Sequence, residues 1–279
     1  MGLAPTTRIV NWYKRNAASV LYRRPTHIRP DVPLISFTFD DFPRSALHTG
    51  GAILKSRSLN GTYYASLGCL GSDSPSGPLC IAEDLSAALE DGHELGCHTF
   101  SHNHSWDTRS STFEESILQN QAALSSIAPG VLFRSFSYPI SFPHPAVKRV
   151  CAKHFDCCRG GGQTLNAGTA DLNQLSAFFL EKAQGNIEPV KALIDRNHQM
   201  RGWIIFATHD VAPEPGPYGC SPEFFEQVVQ CAVDSGARVL PVAEALNVVC
   251  GLQGSVSGSY GTGAAAPVRP EGPAGPASE

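Results

Sequence analysis

Ile35-Ser-Phe-Thr-Phe-Asp-Asp-Phe42 is the stretch from which the rest of the chain can be read. Ile35, Phe37 and Phe39, with β-branched Thr38 among them, predict a buried strand. The strand ends on Asp40 and Asp41. Two adjacent carboxylates are costly to bury unless something pairs with them. Neighbouring strand residues point to opposite faces, so the two are expected to take different jobs where the chain leaves the strand. A metal ion is the expected partner, with histidine ligands downstream.

Outward from this strand, apolar runs and amphipathic runs alternate. Strands are expected at 61–66, 93–97, 132–137, 155–158, 177–180, 203–208 and 237–240. Helices are expected at 45–55, 82–90, 145–153, 189–200, 221–234 and 242–249, and after a capping box of Thr112 and Glu115. Ser221 followed by Pro222 is a helix start. The alternation predicts a mainly parallel α/β fold. Ionisable residues stand at strand ends: Asp40 and Asp41, His98, and His209, with Tyr138 in the same kind of place. Residues from so many strands converge more naturally on the mouth of a β/α barrel than on an open sheet.

The chain has 279 residues, 42% hydrophobic and 16% charged, enough for one large domain with a sizeable core. A net charge of −4 gives no reason to expect nucleic acid. No apolar run approaches the roughly 20 residues of a membrane span. The first 31 residues lack the continuous apolar core of a secretory signal, so a cytoplasmic location is expected. They carry Arg8, Lys14, Arg15, Arg23, Arg24 and Arg29 against one acid, Asp31. A short helix from Asn11 to Tyr22 would cap the domain or make peripheral contact with an anionic membrane. The nine cysteines, with no C-x-x-C pair, read as reduced thiols. Residues 251–279 are Gly, Ala, Pro and Ser with few apolar side chains, and are expected to be disordered.

His98-Thr-Phe-Ser-His102 places imidazoles at i and i+4, which share a face on a helical turn. With Asp41 they offer two nitrogens and one carboxylate to a metal ion and leave positions open. Two histidines and a carboxylate also suit a non-haem iron oxygenase, but that site is usually carried on a jelly roll, which the β/α alternation contradicts.

Thr38-Phe-Asp-Asp41, Gly92-His-Glu-Leu-Gly-Cys-His-Thr-Phe-Ser-His102 and Ile204-Ile-Phe-Ala-Thr-His-Asp210 resemble the first, second and fifth motifs of the NodB-type polysaccharide deacetylases, carbohydrate esterase family four. The resemblance runs over residues 33–250. It implies a distorted (β/α) barrel of about seven strands and hydrolysis of N- or O-linked acetyl groups on carbohydrates. It makes Asp40 the base, His209 the acid, and Asp41, His98 and His102 the ligands of a divalent ion, most often Zn2+, with Co2+ or Ni2+ possible. The third motif departs from the family form: Arg134-Ser-Phe-Ser-Tyr-Pro139 is one residue longer. By resemblance Arg134 and Tyr138 are substrate-binding, with the Tyr138 amide facing the oxyanion. The fourth motif, whose carboxylate tunes the acid histidine, is not visible; Asp171 and Glu181 are the candidates. An N-acetylated carbohydrate is the expected substrate. An O-acetyl ester, a small amide, or a non-catalytic glycan-binding role are the alternatives.

Overall fold

The computed structural model describes residues 13, 16–140 and 142–252. In chain order its strands are β1 (Pro25–Ile28), β2 (Leu34–Phe39), β3 (Thr62–Ala65), the hairpin β4 (Asp73–Ser74) and β5 (Gly77–Pro78), β6 (Glu94–Cys97), β7 (Ser135–Ser137), β8 (Cys157–Gly160), β9 (Gly168–Asp171), β10 (Leu175–Ser176), β11 (Phe178–Phe179), β12 (Trp203–Thr208) and β13 (Arg238–Val239). The helices are α1 (Ala52–Lys55), which continues a π-helical turn from Ala46, α2 (Ala82–Glu90), α3 (Ser110–Ile127), α4 (Pro145–His154), α5 (Glu188–Met200), α6 (Pro222–Asp234) and α7 (Val242–Val249).

Every residue of β2 is buried, as expected for a strand covered on both faces of a parallel sheet. It lies between β3 and β12, and β13 also pairs with it. The ladder runs β10-β8-β7-β6-β3-β2-β12-β11, all parallel. Its two edge strands, β10 and β11, are separated in sequence by Ala177 alone, so eight strands form a nearly closed barrel. Of the expected strand over 177–180, Phe178–Phe179 is strand; β10, just before it, was not expected, and the two pair on opposite sides of the gap and raise the count from about seven. Phe37 and Phe39 stack on Phe206 and Tyr63 and meet Phe225 of α6. A Cβ on Gly50 or Gly51 would come within 2.9 Å of the Phe39 ring or 2.8 Å of the Tyr63 hydroxyl. Only glycine lets this turn press so closely on the sheet.

Most helices fall where expected, and Ser221 caps α6 by accepting from the Phe224 amide. Three features differ. α3 begins at Ser110, so Thr112 and Glu115 lie inside it and form no capping box. β1 and its antiparallel partner β9 were not expected; both are short, mixed in polarity and only partly buried, so no period marks them. Of the expected helix over 11–22, Asn16–Val20 is helical, and residues 1–12, 14 and 15 lie outside the described residues. So do residues 253–279 of the expected disordered tail. None of the helices among the described residues is long and apolar enough to cross a membrane.

His93 opens β6 and is structural. Its Nδ1 accepts from the Gly61 amide at 3.0 Å, and its ring meets Tyr63 edge-on. Burial holds its pKa below 6.5. The unfolded chain therefore protonates first as pH falls, and the stability from this site, present above pH 6.5, is lost on acidification. His93→Asn keeps an acceptor without titrating. Its unfolding free energy, measured in urea, is expected to fall less steeply than wild type between about pH 7 and about pH 5.

Candidate active site

Asp40 and Asp41 line the same cavity, about 380 Å³, together with His98, His102, Tyr138, Ile140, Phe179, Glu181, Lys182, His209 and Tyr218. Strand alternation would send the two carboxylates apart. They converge because Asp41 and Phe42 are left-handed, with φ of 60° and 53°, so the chain turns away from the strand direction directly after Asp40.

Asp41 Oδ1 lies 3.4 Å from His98 Nε2 and 3.2 Å from His102 Nε2. One ligand atom from each residue falls within 4.8 Å of the others. The two histidines do not share a helical turn. They sit on an irregular loop after β6, in which Thr99 and His102 are left-handed and the Asn103 amide donates to Thr99 Oγ1. Phe100 is tied to Ser116 of α3. The pairing at i and i+4 thus comes from loop geometry, and the rings end 5.0 Å apart. His98 Nδ1 stands 2.8 Å from the Ser137 carbonyl. With an ion bound, donation from Nδ1 to this carbonyl would leave the Nε2 lone pair for the ion, the tautomer a metal ligand needs. Burial opposes ionisation of Asp41, but hydrogen bonds from His102 and His98 outweigh it and hold the carboxylate far below its usual range. Two neutral-capable imidazoles and an ionised carboxylate are a donor set that fits a divalent ion.

Asp40 is buried and paired with Arg159, whose NH2 group donates to Asp40 Oδ1. The guanidinium is itself buried beneath the Tyr64 ring, 4.7 Å from its centroid. Burial would raise the Asp40 pKa; the Arg159 charge, with His98 and His209, brings it below 3.8. The substrate-binding role expected of Arg134 does not fit its position. It precedes β7, at the barrel end away from the cavity, where it bonds Asp156 and Asn247. Arg159 sits opposite Ser137, at the C-terminal end of β8. A charged residue ending a barrel strand is a legible signal; reading that strand as stopping at Cys158 hid it.

His209 follows β12 and leans over Asp41, with Nε2 3.8 Å from Asp41 Oδ2. Burial lowers its pKa, against the pull of Asp40 and Asp41. Its Nδ1 is buried without a hydrogen-bond partner among the described residues. Asp171 cannot serve it, being bound to Lys148 and the Arg24 amide. Glu181 lines the cavity but makes no hydrogen bond to His209 among the described residues. Tyr218 packs on the His209 ring at 5.1 Å. Its loop is held by Asp210, which accepts from the Gly216 amide at 2.7 Å. A Cβ on Gly219 would stand 2.2 Å from Asp210 Oδ1. Gly219→Ala is therefore expected to displace Tyr218 and destabilise the fold by about 1–3 kcal/mol, read by thermal denaturation.

Tyr138 lines the cavity with its ring, but its polar groups are engaged. Its amide donates to the Arg159 carbonyl at 3.0 Å and its hydroxyl to the Asn173 carbonyl at 3.0 Å. The amide is thus not available to an oxyanion as expected. Two residues on, Ile140 lines the same wall with φ of 61°, a strained setting for a β-branched residue. Its amide makes no hydrogen bond among the described residues. Nothing in the sequence signals this residue. Trp106 is turned away, donating to the Phe142 carbonyl and packing on His144.

The strand pairing makes this a parallel β/α barrel, with carboxylates and histidines gathered at the C-terminal ends of its strands. Residues 27–154 match the family described as polysaccharide deacetylase, and the chain resembles the NodB-type polysaccharide deacetylases. No curated protein matches it. Among solved structures, it resembles a family 4 acetyl xylan esterase from Clostridium thermocellum in complex with a cobalt ion, at 22% identity, covering 78% of this chain and 92% of that one with a TM-score of 0.55. The chitin deacetylase of Colletotrichum lindemuthianum is similar at 15% identity, 78% and 89% coverage and a TM-score of 0.55. A peptidoglycan deacetylase of Bacillus subtilis is similar at 16% identity, 79% and 93% coverage and a TM-score of 0.53. At these identities the structural likeness establishes the fold.

Proposed function

We propose that this protein is a metal-dependent hydrolase that removes N-acetyl groups from an N-acetylated sugar or oligosaccharide. The observation that carries the reading is one cavity holding the Asp41, His98 and His102 cluster beside the Arg159-paired Asp40 and His209. Asp41, His98 and His102 would hold the ion, with Zn2+ best suited and Co2+ or Ni2+ compatible with the same donors. When bound, such an ion polarises a carbonyl and brings the pKa of water towards neutrality.

The chain's own groups supply the rest. Arg159 keeps Asp40 ionised, ready to take the proton of the attacking water. The Ile140 amide, rather than that of Tyr138, donates to the oxygen that gains charge as the carbonyl becomes tetrahedral. His209 delivers a proton to the departing nitrogen. Tyr138, Phe179 and Tyr218 form the walls against the sugar. A second reading is an O-acetyl esterase. It is favoured by His209 Nδ1 having no acceptor among the described residues, since an alkoxide leaving group asks less of the acid than an amine does. The nine unpaired cysteines fit a reducing compartment, and a peripheral membrane position through the N-terminal segment belongs to the same reading.

The test is acetate release from chitooligosaccharides by metal-stripped protein, before and after Zn2+ or Co2+ is restored. Release that returns with the ion supports the N-deacetylase. Release from acetylated xylan alone supports the esterase. No release from either, in protein that binds the ion, would overturn both.

A further inference from the structure

Arg159 has more donors than it uses. A guanidinium carries five N–H groups, yet Arg159 makes one side-chain hydrogen bond among the described residues, from Nη2 to Asp40, and its Nε is buried with no partner. It also reaches Asp40 from afar. Arg159 stands near the end of β8 and Asp40 follows β2, with β7, β6 and β3 between these strands in the ladder. A single hydrogen bond does not hold so long and rotamer-rich a side chain in one place; packing has to do it.

Aromatic rings supply that packing. The Tyr64 ring centroid lies 4.7 Å from Arg159 Cζ and the Phe179 centroid 5.8 Å from it, both within the reach of a cation–π contact. Tyr64 is wholly buried on β3. Phe179 is on β11, beside the gap in the barrel, and lines the reaction cavity. Each ring is itself fixed. Tyr64 pairs in register with Gly96 on β6, where a Cβ would stand 2.4 Å from the ring, so the missing side chain is the space the ring fills. The Phe179 amide donates to Gln163 Oε1 at 2.7 Å.

Rings suit this task better than hydrogen-bonding groups would. A ring face attracts a cation but offers it no carboxylate or carbonyl, so Asp40 stays the one acceptor bound by the guanidinium among the described residues. Apolar rings also keep water from the pair, and the attraction between its charges is stronger for that. The Tyr64 hydroxyl bonds neither Arg159 nor Asp40 among the described residues; the ring is the part in use.

We infer that Tyr64 and Phe179 clamp the Arg159 guanidinium and through it set Asp40 in place, Tyr64 being a positioning residue outside the cavity lining. The clamp itself is read from stability; its effect on turnover rests on the deacetylase reading. The full chain loaded with Zn2+ is compared with Tyr64→Leu and Tyr64→Phe. In Tyr64→Leu, kcat for acetate release from a chitooligosaccharide is expected to fall about five- to thirtyfold, with KM within about twofold of wild type and bound Zn2+ unchanged. Tyr64→Phe keeps the ring and should bring kcat back to within about twofold of wild type. A ring that served packing alone would, when lost, lower the melting temperature and leave kcat as it was. In the Tyr64→Leu/Arg159→Met cycle, read by urea denaturation, the double variant should be more stable than the sum of the single losses allows. Wild-type kcat in Tyr64→Leu would overturn the inference. So would Tyr64→Phe that is no better than Tyr64→Leu, loss of Zn2+ from Tyr64→Leu, or additive losses in the cycle. Wild type that releases no acetate would count against the deacetylase reading instead, and the cycle, which needs no substrate, would still decide the clamp.

Discussion

Asp40→Asn is expected to lower acetate release by about 10²–10⁴-fold while leaving the ion content unchanged. The first figure is the usual contribution of a positioned base; the second follows because Asp41, His98 and His102 are untouched. Asparagine matches the shape of aspartate and keeps an acceptor for Arg159, so the loss reads the missing negative charge. That charge has two tasks. In the proposed reaction it receives the proton of the attacking water, and in the fold it balances a guanidinium that is almost entirely buried. Removing one partner of a buried pair costs roughly 3–5 kcal/mol, and the retained hydrogen bond should hold the cost to the lower end. Kinetics on the ion-loaded protein, with metal analysis and a denaturation curve, separate the two. Activity close to wild type would remove Asp40 from the role of base.

Arg159→Met is expected to reduce activity at least tenfold, chiefly through kcat, and to destabilise the fold by roughly 3–5 kcal/mol. Methionine fills the space under Tyr64 but leaves the Asp40 carboxylate buried without its cation. On the proposed mechanism Arg159 is a positioning residue: it pairs with Asp40 and is absent from the cavity lining. The discriminating measurement is the double-mutant cycle. Asp40→Asn/Arg159→Met should be more stable than the sum of the single changes allows, because it removes both buried charges together. Additive losses would show that the two side chains do not work as a pair. Arg134→Met, by contrast, breaks exposed contacts to Asp156 and Asn247 and should leave kcat unchanged.

The comparison of these two arginines shows where the sequence was legible. Arg134 stood in the third motif, where the family pattern expects an arginine. Arg159 stood in Cys157-Cys158-Arg159-Gly160, whose neighbours suggested nothing more than a strand running into a glycine loop. The register that places Ser137 beside Arg159 brings the second arginine to the cavity end of the barrel. That register is a long-range fact, set by how β7 and β8 pair, and no local pattern encodes it. The same limit applies to Tyr138 and Ile140. Sequence located the turn after β7, but backbone pairing consumed the Tyr138 amide, and a left-handed φ put Ile140 on the wall.

The sequence by itself determined the parallel β/α barrel, because buried strands and amphipathic helices each carry a period that survives without tertiary information. It also determined Asp40, Asp41, His98, His102 and His209 as the residues to look for, because ionisable groups at the ends of apolar strands are conspicuous. Only the tertiary structure decided how they meet. Left-handed turns at Asp41 and His102 override the alternation and the helical spacing by which those residues were read. The eighth strand and the arginine paired with Asp40 depend on contacts between segments far apart in the chain.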